Sequence, residues 1–280
     1  MSKGYLCIAQ NSTAVDYLRM AYLQALSCKL TQSHVRNFSI IVDKETAEQV
    51  TDNHRKIFDK VIILKKDLAE TSKVKQQNES QVFSCSPYKE TIKTEADMLF
   101  TCDVSWLWNV YSQYVMNFTQ TVYTYNHDIV TNRSQRKLFD DSLLPNIYSA
   151  WTYFSYDLQS KKFYDTMRMI MDDWNWYRDE YLINCRYETP RTDEVYAIAA
   201  RAINMPLDNI NFGFVHMKPQ LQGIRITDWT KEIYTEVHDD FGVVLGFHRQ
   251  TKPLHYHLKT FVTDELIDRY EYGFKKQLLG

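Results

Sequence analysis

The sequence predicts an α/β fold built on a largely parallel sheet, and three observations carry that prediction. Residues 5–9, 38–42 and 61–64 are short, mainly apolar runs. Stretches with helical spacing, 16–28 and 45–58, separate them. Strands that are apolar on both sides need helices on both faces, and strand–helix alternation is how parallel neighbours are connected. Finally, the chain has only seven glycines and no Gly-rich phosphate loop, which excludes the P-loop and dinucleotide-fingerprint versions of this architecture.

The elements follow in order. Residues 5–9 end in Gln10-Asn11-Ser12-Thr13, a polar run that closes a strand and opens a helix. In the next helix Leu18, Ala21, Tyr22, Ala25 and Leu26 share a broad face. Asp43 is placed to cap the helix over 45–58. Residues 65–80 carry little to bury, so they read as a solvated loop or, more sharply, a lid over a ligand. Residues 92–100 read as a strand, and 104–111 carry three large aromatics. Residues 120–125 and 146–156 are strand-like. Residues 162–187 form one long helix or two, with Met167, Ile170, Met171, Trp174 and Tyr177 as core packing. Thr192 is placed to cap a helix over 193–203, and 211–216 is a strand ending in His216. No repeat and no Pro/Ser linker divides the chain.

Composition narrows the function classes. Apolar residues make up 44% and charged residues 24%, as in ordinary globular chains. Twenty Tyr, 14 Phe and six Trp make the chain rich in rings that fill cores and also line sugar and base pockets. A formal net charge of −2 excludes the strongly basic balance of a dedicated nucleic-acid binder, while leaving room for a local basic face. Five cysteines, an odd number without a CxxC pair, read as reduced, mostly buried and cytosolic. The N-terminal apolar run is too short for a signal peptide, and no stretch approaches the ~20 apolar residues that span a bilayer. A soluble protein of the cytoplasm, without a membrane partner, is expected; oligomeric state is not specified.

The chemistry centres on Glu95 and Asp97. Strand alternation turns both carboxylates to one side if the strand stays extended to its end. Two hard oxygen ligands suit Mg²⁺ or Mn²⁺ carrying a diphosphate, and the blander reading is a salt-bridged edge strand. Lys89 and Lys93 precede the pair, facing a carboxylate, a phosphate or solvent. His248, Arg249, His255 and His257 form the densest basic cluster, suited to a diphosphate or to acceptor phosphates. Its imidazoles, at spacings of seven and two, also admit zinc, although without cysteine or a helical HxxxH.

Five pieces, in order, resemble those of the GT-A fold glycosyltransferases, particularly the glycogenin-like branch. They are Ile8-Ala9-Gln10-Asn11 with Tyr17-Leu18; Glu95-Ala96-Asp97; Pro145-Asn146-Ile147-Tyr148-Ser149-Ala150; Thr192-Asp193-Glu194-Val195-Tyr196; and His216-Met217-Lys218-Pro219. The resemblance implies a Rossmann-like mixed sheet flanked by helices in one domain, 1–280. Residues 1–103 would form the nucleotide-sugar-binding half and 104–280 the acceptor-binding half. It implies transfer of a sugar from a UDP-sugar with Mn²⁺ or Mg²⁺. Glu95, Asp97 and His216 would be the metal ligands, with Lys218 on the diphosphate. Asn11 and Tyr17 would contact the nucleotide, and Asp193 would lie beneath the transferring sugar. Glu95 stands where the family has Asp, and the family's His-to-Lys-Pro spacing is compressed. With the run 248–257 downstream, the third metal ligand stays open.

Residues 88–98 and His248-Arg249-Gln250 further resemble glycosyltransferases of T-even-like bacteriophages that add arabinose to 5-hydroxymethylcytosine in DNA. That implies UDP-arabinose as donor, DNA as acceptor and the host cytoplasm as location. Arg133, Arg136, Lys137 and Lys161-Lys162 are the local cations available for DNA phosphates, although such runs are usually solvated faces. A glycan or protein acceptor, or a non-catalytic nucleotide-sugar or DNA-binding module, are the alternatives. Spacing names no general base and does not separate retention from inversion.

Overall fold

In the computed structural model, residues 2–70, 75–207, 210, 212–222, 226 and 228–279 are described. The strands are β1 (Lys3–Ile8), β2 (Phe38–Val42), β3 (Lys60–Ile63), β4 (Glu90–Glu95), β5 (Met98–Leu99), β6 (Met116–Thr119) and β7 (Thr121–Tyr123). They continue with β8 (Tyr148–Ser155), β9 (Gly213–His216), β10 (Thr235–Val237), β11 (Val243–Leu245), β12 (His248–Arg249) and β13 (Leu254–His255). Six make the main sheet, in the order β3-β2-β1-β4-β8-β6. The first four run parallel, whereas β8 is antiparallel to both β4 and β6. Alternate residues of β1 explain its unbroken apolar run: Tyr5 and Cys7 enter one core and Leu6 the other.

The chain leaves β1 toward β2 and β3 on one side and returns as β4 on the other. That reversal is a switch point, where a ligand crevice opens beyond the carboxyl ends of the strands. Ile8 and Glu95 are register partners at that edge. A smaller sheet, β5-β13-β9-β7, abuts it. There β13 lies between β5 and β9, pairing His255 with Met98 on one side and His216 on the other. Gly213 lets β9 approach β7, since a Cβ there would stand 1.8 Å from the Thr121 carbonyl oxygen. The third sheet is β10-β11-β12.

Several expected elements are divided or shifted. The strand over 92–100 stops at Glu95; Ala96 and Asp97 form a turn, and β5 resumes in the smaller sheet. The helix over 45–58 splits into Lys44–Glu48, capped by Asp43, and Asp52–Ile57. The long helix splits into Leu158–Asp172 and Trp174–Tyr181, because Asp173 adopts φ −123°, ψ 50° between them. Thr192 opens helix Thr192–Ala202 from inside, and Arg191 occupies the cap position. Within 65–80, Lys75–Gln81 forms a 3-10 helix that buries Asn78 and Glu79, so this stretch is packed structure; 71–74 lie outside the described residues. Asn211, expected to start a strand, also lies outside them, and β9 begins at Gly213. No described helix is long and apolar enough to cross a membrane.

Candidate active site

Glu95 closes β4 and Asp97 sits in the turn that follows, where its carbonyl accepts the Tyr256 N–H at 3.2 Å. His255 Nε2 lies 3.1 Å from Asp97 Oδ1 and 3.2 Å from Glu95 Oε2. The three ligand atoms fall within 4.8 Å of one another. His255 is only 3% exposed; its Nε2 meets just these two carboxylates and its Nδ1 has no hydrogen-bond partner. A buried imidazole nitrogen converging with two carboxylate oxygens is a donor set suited to a divalent ion. These residues therefore fit Mg²⁺ or Mn²⁺. Lys259 pairs with Asp97 Oδ2 and stands 5.2 Å from the Tyr17 ring centre. Burial pushes Asp97 up, but His255 and Lys259 outweigh it and hold the carboxyl well below its usual range. For Glu95, burial prevails over His255 and Lys93 and raises it. Burial depresses His255, but Asp97 and Glu95 lift it above its ordinary value.

Two cavities meet at Glu95. The first, about 450 Å³, is bounded by Gln10, Ser12, Tyr17, Lys75, Lys93, Asp97 and Lys259 among others. A polar network docks Lys75–Gln81 beside it. Gln10 donates to Asp43 Oδ2 at 3.0 Å, and Asn78 donates to Gln10 Oε1 at 3.0 Å and Asp67 Oδ1 at 2.6 Å. Lys93, 1% exposed, pairs with Glu79, whose carboxylate also accepts the Tyr196 hydroxyl at 2.9 Å. Burial lowers Lys93, yet Glu79 and Glu95 raise it above its ordinary value.

The second cavity, about 600 Å³, is bounded by Arg136, Ser149, Asp193, Glu194, His216, Lys218 and His257 among others. Asp193 Oδ1 accepts from Ser149 N at 2.8 Å and Ser149 Oγ at 2.7 Å, and its Oδ2 accepts from Arg136 at 2.7 Å. Ser149 Oγ also reaches Glu95 Oε1 at 3.2 Å, linking the two carboxylates. Burial raises Asp193, but Arg136 and Ser149 hold it below its usual range. Burial and neighbouring Asp193 lift Glu194 to about 7. His216 Nδ1 and His257 Nε2 are 3.0 Å apart, and burial, then the neighbouring histidines and Lys218, keeps both below the ordinary histidine value.

Of the residues singled out by sequence, Tyr17, Lys93, Glu95, Asp97, Asp193, His216 and Lys218 border these cavities. Four do not. The Asn11 side chain accepts Leu18 N–H at 2.8 Å and donates to Asp16 at 3.0 Å and Gln49 at 2.7 Å, so it builds the turn while Gln10 and Ser12 face the cavity. Lys89 is exposed just before β4, roughly 20 Å of strand from Glu95. His248 and Arg249 form β12 in the separate sheet, and Arg249 pairs with Asp240. His216 is absent from the carboxylate group; His255 stands there because β13 inserts between β5 and β9. Sequence reading also passed over Lys259, for which the alternation His255-x-His257-x-Lys259 was the available signal. Arg136, read as a DNA-phosphate cation, is 5% exposed and bound to Asp193. Position 103 divides neither the main sheet nor the first cavity, since β6, β8 and Lys259 come from beyond it.

No protein-family model and no curated protein sequence matches the chain. Among solved structures, it is similar to mouse xyloside xylosyltransferase 1 in its apo form, at 10% identity and a TM-score of 0.51, over 93% of this chain and 99% of that one. It is also similar to the galactosyltransferase LgtC in complex with donor and acceptor sugar analogs, at 10% identity and a TM-score of 0.54, over 98% of this chain and 95% of that one. At such identities the likeness is one of architecture: the mixed sheet flanked by helices is the GT-A glycosyltransferase fold.

Proposed function

We propose that the chain is a metal-dependent glycosyltransferase that moves a sugar from a nucleoside diphosphate donor to a hydroxyl acceptor. One observation carries this reading: Glu95, Asp97 and His255 converge at the switch-point crevice, where two polar cavities meet. The cavity beside Tyr17, Lys93 and Lys259 takes the nucleotide and diphosphate; the cavity beside Asp193 takes the sugar and acceptor. The fold neighbour crystallised with donor and acceptor sugar analogs supports two adjoining subsites of this kind. Glu95, Asp97 and His255 would hold Mn²⁺ or Mg²⁺, which when bound supplies Lewis-acid neutralisation of the departing diphosphate. Lys259 adds a point charge on the same side. Asp193, fixed by Ser149 and Arg136 and kept anionic, is oriented to hydrogen-bond the sugar and to stabilise positive charge at the anomeric carbon.

At finer grain, the donor is UDP-arabinose and the acceptor 5-hydroxymethylcytosine in DNA, acting in the host cytoplasm. This rests on the resemblance of residues 88–98 and 248–250 to the bacteriophage enzymes. Lys218 and Arg191, which border the second cavity and make no ion pair among the described residues, are the cations left for acceptor phosphates. The pairing of Arg133, Arg136, Lys137 and Lys161 with aspartates favours the second reading, a glycan or protein acceptor. Incubation with UDP-sugars, Mn²⁺ and hydroxymethylated or plain DNA separates the two. A gain of one pentose only on hydroxymethylated DNA is expected; no gain there, with transfer to a glycan, sinks the DNA assignment.

A further inference from the structure

We infer a second metal site, formed by His216, His255 and His257 and suited to a zinc-class ion. The inference does not depend on sugar transfer being the activity. His216 and His255 are register partners on adjacent parallel strands, so their side chains leave the sheet on the same face. His257 joins them two residues later through a left-handed backbone, φ 55°. A non-glycine residue in that region is uncommon and strained, so the surroundings hold it there. The result is a group of three imidazoles whose ligand atoms lie within 4.8 Å of one another. His216 Nδ1 and His257 Nε2 are 3.0 Å apart, and the His255 and His257 ring centres are 3.7 Å apart.

A buried structural histidine normally spends its ring nitrogens on hydrogen bonds. His255 Nε2 faces the Asp97 and Glu95 carboxylates, but its Nδ1 has no partner although the residue is 3% exposed. A set of three imidazole nitrogens selects zinc, cobalt or nickel over magnesium. A tetrahedral zinc with bonds of about 2.0–2.1 Å spaces its ligands roughly 3.3 Å apart, so the His216–His257 pair needs only slight opening. All three histidines border the 600 Å³ cavity, which leaves a route in and room for a further ligand. His255 belongs both to this set and to the set with Glu95 and Asp97. An ion on the three imidazoles draws His255 from the carboxylates, so zinc and manganese bind antagonistically.

Calorimetric titration of the full chain with zinc chloride and with manganese chloride tests this. His257→Asn keeps a residue that tolerates the left-handed backbone while removing the imidazole. It should weaken zinc at least about ten-fold and manganese less than about two-fold, whereas Asp97→Asn should do the reverse. Zinc-saturated protein should bind manganese at least about ten-fold more weakly. His216→Gln, checked by circular dichroism, should repeat the zinc loss and guards against a folding artefact. Unchanged zinc affinity in both histidine variants, or zinc and manganese affinities falling together in every variant, overturns the second site. Undiminished manganese affinity in zinc-saturated protein overturns the antagonism.

Discussion

Replacing Lys93 with Met tests whether the wall of the first cavity is held by a dry ion pair. Lys93 is 1% exposed and Glu79 8%, and the two are paired deep between β4 and helix Thr192–Ala202. Met has nearly the length of the lysine stem, so little cavity opens. What remains is a buried carboxylate that, among the described residues, keeps a side-chain hydrogen bond from Tyr196 alone, at 2.9 Å. Removing one partner of a buried pair costs about 3–5 kcal/mol. For a chain of this size that is on the order of 10 °C in Tm. Thermal unfolding followed by circular dichroism should show that drop. The double variant Lys93→Met with Glu79→Gln should recover at least half of it, because a neutral amide keeps the Tyr196 bond without a stranded charge. If Lys93 also meets the diphosphate, the double variant regains its melting temperature but not its donor affinity. A single variant melting within about 1 °C of the parent would refute the reasoning, because water would then reach Glu79.

Three further outcomes follow from the same geometry. Asp97→Asn, assayed at saturating Mn²⁺, should lose at least about 100-fold in turnover, some 2.7 kcal/mol, with the fold intact; unchanged turnover removes Asp97 from the chemistry. His255→Ala should weaken Mn²⁺ binding at least about ten-fold while His216→Ala does not, and the opposite order, read by titration, would restore His216 as third ligand. Glu194 keeps its proton to about pH 7 in the fold but releases it near 4.5 when unfolded. Its stabilisation is therefore whole below pH 4.5 and fades as pH rises to 7, by about 3 kcal/mol. Urea melts across that window should show Glu194→Gln losing less stability than the parent, and identical slopes would reject the raised value.

The parallel sheet was legible because burial on both faces leaves a continuous apolar signature in β1 and β2, and Asp43 announced its helix by its own chemistry. The acidic pair was legible for a reason that proved incomplete. Alternation places Glu95 and Asp97 on one side only in an extended strand, whereas a turn carries Asp97 into the site. The place of His255 beside the pair was hidden because it depends on which late strand docks beside β5, a choice made by long-range packing. Lys-Pro after His216 drew attention to the neighbouring strand, one register partner away. Lys89 and Arg249 show the converse: cations close in sequence to the motifs, but set at the far end of β4 or on another sheet.

The distribution of cations also bears on how a DNA acceptor would be held. Arg133, Lys137 and Lys161, which a sequence count credits to a phosphate-binding face, pair with Asp140, Asp141 and Asp165. Arg136 is spent on Asp193. Around the second cavity that leaves Lys218 and Arg191, the latter with its guanidinium 3.4 Å from the Tyr187 ring centre. Two phosphate contacts give a slope of about −1.5 to −2 in log affinity against log salt, far below that of a protein tracking a long duplex. Such an enzyme meets a nucleotide locally, at a site where the base is already unpaired or readily extruded. Binding of hydroxymethylated single-stranded and duplex DNA, measured across salt concentrations, should show the shallow slope and a preference for the single strand. A slope near −6 or steeper, with duplex preferred, would mean that the paired cations release their aspartates to reach the backbone, and the acceptor face inferred here would be the wrong one.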